Sequence, residues 1–75
     1  MWSEKNNQLY KKFIFKDFNE AWEFLTNVAL LAKEHNHHPT LMNTYNIVEI
    51  YLSTHDKENS ITEKDTLLAS AIDKL

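Results

Sequence analysis

Alternation of apolar and polar residues marks the first regular segment of the chain. Over residues 9–15, side chains take turns on the two sides of an extended backbone, which predicts a strand. The positions that share its mainly apolar side are Leu9, Lys11, Phe13 and Phe15. The polar run 5–8 before it contains two asparagines, which tolerate a positive φ better than most residues. We therefore expect a short hairpin whose other strand includes residues 2–4.

The apolar period changes to that of a helix after Asp17. Asp17 is followed three residues later by Glu20, which is the spacing of an N-cap with a carboxylate that reaches back. We expect the helix to end near Glu34, because Pro39 disfavours helical geometry at the residue before it. The apolar positions that recur at helical spacing are Phe18, Ala21, Trp22, Leu25, Val28, Ala29 and Ala32.

The second half of the chain predicts a long strand, or a pair of strands, and then a final helix. The strand is expected over residues 43–55, and the residues that should face the helices are Val48, Ile50 and Leu52. Thr62, with Asp65 three residues on, predicts a helix cap. The expected apolar stripe of this helix is Leu67, Leu68, Ala71, Ile72 and Leu75. The order of elements predicts a two-layer α+β fold, with helices on one face of an antiparallel sheet of about four strands.

Size and charge narrow the possible functions. We expect residues 1–75 to form a single domain, and a core of this size rarely contributes more than roughly 3–5 kcal/mol. A homodimer or tetramer is therefore expected. The chain has no cysteine, which excludes disulfides and thiolate metal sites, and its net charge of −3 argues against direct nucleic-acid binding. Because no apolar run approaches the ~20 residues of a membrane span, we expect a cytoplasmic protein without a membrane partner.

The histidines are the candidate chemical groups. All four lie in two short segments, at His35, His37, His38 and His55. A histidine near a helix end can simply interact with the helix dipole, and three imidazoles can hold zinc. The third possibility is acid–base catalysis, since the unperturbed pKa of histidine, about 6.5, lies near neutral pH. That possibility requires the end of the first helix and the end of the long strand to meet at one pocket.

The spacing of these histidines resembles the sequence motif of a known protein family. A charged residue is followed by His-His-Pro, an aromatic residue, a further histidine and an aspartate. In this chain these are Lys33, His37, His38, Pro39, Tyr45, His55 and Asp65. Flanking strings at residues 13–18, 28–30 and 52–55 are similar as well. The chain thus resembles the pterin-4a-carbinolamine dehydratase family over essentially its whole length.

The resemblance implies an activity and a set of residues. The reaction is the dehydration of a 4a-hydroxytetrahydropterin to the quinonoid dihydropterin, which recycles the cofactor of aromatic amino acid hydroxylases. His37 and His55 would be the general acids and His38 would mainly hold the pterin. The implied substrate-binding residues are Asn36, His37, His38, Ser53, Thr54, His55 and Asp56. Neither a metal nor an organic cofactor is expected.

A second function remains open beside the enzyme. Animal relatives also act as dimerisation cofactors of a homeodomain transcription factor, so the fold can serve as an interaction module. Phe24 and Leu31 lie outside the main apolar stripe and are the predicted subunit or partner contact. Many members carry glutamate where Lys33 stands here, and Asp65 is explained by helix capping.

Overall fold

Two hairpins and two helices make up the fold, which the computed structural model describes over residues 1–55, 58 and 60–75. The elements are β1 (Ser3–Lys5), β2 (Gln8–Ile14), α1 (Phe18–Glu34), β3 (Thr40–Thr44), β4 (Ile47–Leu52) and α2 (Glu63–Asp73). The strands form one antiparallel sheet in the order β1-β2-β4-β3. Both helices pack on the same face of this sheet, which confirms the predicted α+β architecture.

The first hairpin forms as the two asparagines predict. Asn6 and Asn7 have φ values of 53° and 63°, so both lie in the left-handed region that a tight hairpin turn requires. The turn places Lys5 opposite Gln8 at the start of the ladder between β1 and β2. In a chain without glycine, asparagine is the residue that adopts this backbone at the lowest cost.

The second hairpin shows that the segment predicted as one long strand or a strand pair is a pair. The backbone reverses at Tyr45 and Asn46, and Tyr45 has a φ of 52°. The Asn43 side chain stabilises the reversal by donating hydrogen bonds to the carbonyls of Tyr45 and Ile47, at 3.2 and 3.0 Å. Since neither glycine nor proline marks the turn, alternation continues through it and hides it. The predicted inner face of β4 is confirmed, because Val48, Ile50 and Leu52 are all fully buried.

Helix α1 begins as predicted but is rotated about its axis relative to the predicted stripe. Asp17 caps it by accepting a hydrogen bond from the Glu20 amide at 2.9 Å. Phe24 and Leu31, predicted as a second contact, instead pack against the core, and Trp22 is 56% exposed. The cause is aromatic packing, since the Phe24 ring lies 4.7 Å from that of Phe13 and 4.9 Å from that of Phe15.

Helix α2 also differs from its predicted stripe. Leu67 and Leu75, which were expected in the core, are each 54% exposed, whereas Ala69 is buried. The core that joins both helices to the sheet consists of Ala21, Leu25, Val28, Val48, Ile50, Leu52, Leu68, Ala69 and Ile72. Asp65 is fully buried beside this core.

Candidate active site

The first part of the site is built by the way α1 ends. Asn36 has a φ of 49°, and two hydrogen bonds close the helix end: Asn36 N donates to the Lys33 carbonyl at 3.2 Å and His37 N donates to the Ala32 carbonyl at 3.0 Å. This is the pattern of a Schellman motif, which usually has glycine at the left-handed position. The turn sends the chain back against the protein, so that His37 is buried while His38 stays exposed.

The second part lies where the chain leaves β4. Thr54 N donates a 2.8 Å hydrogen bond to the carbonyl of Ser60, which forms an isolated bridge beyond the sheet. Thr54 is buried, with 2% of its surface exposed, whereas the neighbouring His55 is exposed. The two residues therefore serve different sides of this segment, one facing the protein and the other the solvent-accessible cleft.

These two segments and the start of α2 enclose one cleft. Its volume is about 340 Å³. The residues that line it are Asn36, His37, His38, Ser53, His55 and Lys64. All three histidines of the sequence motif therefore meet at one place, as the acid–base hypothesis requires. The described residues of the lining are all polar or charged, which favours polar contacts with a bound molecule.

A buried carboxylate orients one of these histidines. His37 Nε2 lies 2.5 Å from Asp65 Oδ1, and the two side chains are almost completely buried. A carboxylate can only accept hydrogen bonds, so Nε2 carries the proton of this contact. The other ring nitrogen of His37, Nδ1, is thus the one left to exchange a proton with a ligand. Asp65 thereby fixes both the orientation and the tautomer of the ring.

Two further donors, besides His37, hold the Asp65 carboxylate. Its Oδ2 atom accepts from Thr54 Oγ1 and from Thr62 N, both at 2.8 Å. Thr54 Oγ1 is also in contact with Thr62 Oγ1. Because the Thr54 hydroxyl proton points to the carboxylate, the Thr62 hydroxyl must donate to Thr54. The result is a directed chain from Thr62 through Thr54 to Asp65, which leaves Oδ1 for His37.

The structure divides the residues predicted for substrate binding. Asn36, His37, His38, Ser53 and His55 line the cleft. The Thr54 side chain is instead buried against Asp65. Asp56 lies outside the described residues.

Lys64 was missed from the sequence, Asp65 was named in the motif but explained only as a helix cap, and two other motif residues lie outside the cleft. Asp65 caps α2 as predicted, yet it also holds His37, and Lys64 lines the cleft from the first turn of the same helix. Their position beside the predicted cap at Thr62 was the available signal. Tyr45 lies at the far end of β4 and is 65% exposed, and Lys33 is exposed on the last turn of α1.

Two further observations concern a possible metal site and a possible membrane span. Within residues 1–55, 58 and 60–75, histidine and carboxylate side chains form no group of three that could hold a metal ion. In the same part of the chain, neither helix has the length and apolar character needed to cross a membrane.

Comparison with known proteins finds a matching family and similar sequences. The sequence profile of the family described as Pterin 4 alpha carbinolamine dehydratase matches residues 1–75. A protein of Prochlorococcus marinus (strain NATL2A), named as an inferred pterin-4-alpha-carbinolamine dehydratase, is 49% identical over 74 residues, covering 99% of this chain and 77% of the relative. A protein of Rhodopseudomonas palustris (strain BisB18) with the same name is 43% identical over 76 residues, covering 99% of this chain and 74% of its own.

Solved structures agree with the sequence comparison. A transcriptional coactivator/pterin dehydratase from Brucella melitensis superposes with a TM-score of 0.90 at 36% identity, covering 97% of this chain and 79% of the other. A pterin dehydratase-like protein identified as a RuBisCO assembly factor in the alpha-carboxysome has a TM-score of 0.78 and covers 99% and 84% of the two chains. At 24% identity, this second likeness shows a shared fold alone. On the evidence of a match over its whole length and of these relatives, the chain belongs to the pterin-4a-carbinolamine dehydratase family.

Proposed function

We propose that this protein dehydrates a 4a-hydroxytetrahydropterin to the quinonoid dihydropterin by histidine acid–base catalysis. The observation that carries the proposal is the convergence of His37, His38 and His55 on one cleft, with the first of them held by Asp65. Family membership supplies the substrate class. An aromatic amino acid hydroxylase is the kind of enzyme that would produce this substrate.

The reaction needs a proton at one oxygen and the loss of a proton from one nitrogen. The lone pair of pterin N5 forms a double bond to C4a while the bond from C4a to the hydroxyl oxygen breaks. A protonated imidazole donates its proton to the leaving hydroxide, which departs as water, and the N5 proton passes to a base. Protons therefore balance, and no oxidant or reductant is consumed. A positioned acid of this kind typically contributes about 10²–10⁴ in rate.

The proposed roles of the three histidines come from the family resemblance, and their places in the cleft support them. His37, whose Nε2 is committed to Asp65, acts through Nδ1. His55 is the second acid and reaches the ring from the segment after β4. Acids on two sides of a flat ring would serve both stereoisomers at C4a. His38 is exposed at the mouth of the same cleft and holds the pterin.

The test is a stopped-flow assay with freshly generated 4a-hydroxytetrahydropterin. The wild type should accelerate dehydration over the buffer rate, and His37→Ala and His55→Ala should each reduce the acceleration by about 10²-fold. The double variant should lose nearly all of it. His35→Ala is the matched control, because His35 caps α1 outside the cleft. Unchanged turnover in a folded double variant would overturn the proposal.

A specific surface favours self-association as a second property. Phe18 and Trp22 are 43% and 56% exposed, and their rings stack with centroids 5.8 Å apart on the outside of α1. Beside them, Trp22, Ala29 and Leu41 line a groove of about 410 Å³. Exposed apolar surface of this kind on a small domain is typical of an interface. We place the subunit contact of a homodimer or tetramer here, and a non-catalytic interaction role would use the same face.

A further inference from the structure

Lys64 is the one residue of the cleft lining, among the described residues, that the sequence did not predict to bind the substrate. It lies on the first turn of α2 and borders the cleft together with His37, His38 and His55. Its side chain is exposed. It is also the only lysine that lines the cleft in the described part of the chain.

The local structure gives no reason for a lysine at this position. The first turn of a helix carries the positive end of the helix dipole, so acidic residues are favoured there, and Glu63 and Asp65 follow that rule on either side. Lys64 opposes it. Over residues 1–55, 58 and 60–75, the structure shows no ion pair that would compensate Lys64, since the pairs there join Lys11 to Asp73 and His37 to Asp65.

The cleft itself makes this position less favourable still. Three imidazoles border it, and the proposed reaction needs at least one of them to be protonated. Among the described residues, the carboxylate shown in contact with one of these imidazoles, Asp65, is buried and already accepts hydrogen bonds from His37, Thr54 and Thr62. A permanent positive charge beside these groups is therefore favoured when the ligand brings an electron-rich atom to it.

We infer that Lys64 recognises the substrate by donating a hydrogen bond to the carbonyl oxygen on C4 of the pterin ring. The inference rests on the proposed function. An acid that reaches the hydroxyl on C4a must sit beside the atoms bonded to C4a. Of its three ring neighbours, N5 carries a hydrogen and C8a carries no group outside the rings, whereas C4 carries an oxygen that only accepts. An ammonium group has donors and no acceptor, so the oxygen is its matching partner. Lys64 is thus a residue for specificity and positioning, and the histidines perform the proton transfers.

The decisive experiment compares two ligands on four proteins by fluorescence titration, without turnover. The ligands are a stable dihydropterin and the analogue that has an amino group in place of the C4 oxygen. The proteins are the wild type, Lys64→Met, Lys64→Arg and Lys74→Met, the last removing a lysine from the other end of α2. Lys64→Met should weaken dihydropterin binding by about tenfold and leave the analogue nearly unaffected. Lys64→Arg should retain most of the preference, and Lys74→Met all of it.

Kinetics and thermal stability separate recognition from a structural role. In the dehydration assay, Lys64→Met should raise KM by about tenfold and change kcat by no more than about twofold. Its Tm should stay the same or rise, because a cation is removed from the positive end of a helix. Equal loss of both ligands, or a fall in Tm that accounts for the weaker binding, would overturn the inference. If the wild type binds with this preference but does not accelerate dehydration, the proposed function fails while the recognition role of Lys64 stands.

Discussion

His37 Nε2 lies 2.5 Å from Asp65 Oδ1, and this contact joins the turn after α1 to the first turn of α2. The two residues are 28 positions apart in the chain. One buried hydrogen bond thereby stabilises the packing of two helices and sets the direction of a ring in the cleft. Structure and chemistry depend on the same pair, so variants of it should affect both.

Asp65→Asn tests this dependence. The amide keeps the shape of the carboxylate, but one of its ends is a donor, so it cannot accept from His37 and from both threonine groups together. We expect the free energy of unfolding to fall by about 1–3 kcal/mol. Dehydration should slow by about 10²-fold, because the tautomer of His37 is no longer fixed. Chemical denaturation and the stopped-flow assay measure the two effects.

Asp73→Asn is the control for this variant. Asp73 is a carboxylate near the end of the same helix, and it accepts hydrogen bonds from Trp2 and Lys11 away from the cleft. Its substitution should change stability without slowing the reaction. Full activity in a folded Asp65→Asn protein would contradict the role assigned to the carboxylate.

Thr54 is predicted to act through Asp65 rather than on the substrate. Thr54→Val removes the hydroxyl that donates to Asp65 Oδ2 and leaves the Thr62 hydroxyl without its acceptor. The expected loss is about 1–2 kcal/mol of unfolding free energy, with a lower kcat and little change in KM. Thr54→Ser should restore both quantities, because it retains the hydroxyl. A change confined to KM would show instead that Thr54 contacts the pterin.

Much of this architecture was predictable because local signals agree with the fold. Asn6 and Asn7 marked the first turn, Asp17 marked the start of α1, and both are confirmed. The predictions that were wrong also have physical explanations. The positive φ is adopted by Tyr45 rather than by a neighbouring asparagine, so the position of the hairpin between β3 and β4 could not be inferred from alternation. The choice of Phe24 over Trp22 for the core was decided by the aromatic residues of β2, which the helical period cannot reveal.

In the candidate site, too, some features could be predicted from the sequence and others could not. The histidine spacing predicted a cleft, because a proline-bounded turn and a strand end tend to bear functional residues. The burial of His37 and the exposure of His38 could not be predicted, since they depend on the left-handed backbone at Asn36. Asp65 had a sufficient local explanation as a cap. Its second oxygen acquires a role only when the two helices pack together.

Tyr10 provides a pH-dependent prediction on the other face of the sheet. Its hydroxyl donates a 2.7 Å hydrogen bond to Glu49 Oε1, and this bond, together with the charge of the carboxylate, raises the pKa of Tyr10 from its ordinary value of 10.0 to about 12. Deprotonation therefore costs more in the folded state than in the unfolded state. The stabilisation is fully present below pH 10 and is lost as the pH rises towards 12.

Absorbance titration of the tyrosines should show this directly. Tyr10→Phe should remove the step near pH 12, whereas Tyr45→Phe should leave it in place. Denaturation at a series of pH values gives the matching result: the stability difference between wild type and Tyr10→Phe should narrow above pH 10. A high-pH step that survives in Tyr10→Phe would show that another group is responsible.

The predicted subunit contact now lies on a different face of α1 from the one that the helical period suggested. Trp22 is exposed on α1, whereas Phe24 belongs to the core, so Trp22→Asp should weaken self-association without unfolding the protein. Sedimentation at micromolar concentration should show a dimer or tetramer for the wild type and a shift towards monomer for the variant.

Met42→Asp is the control, because Met42 is 48% exposed on β3 and does not line the groove beside Trp22. A wild-type monomer would contradict the expectation from core size. An unchanged oligomer in Trp22→Asp would place the interface elsewhere, and the stacked pair of Phe18 and Trp22 would then lack the partner assigned to it.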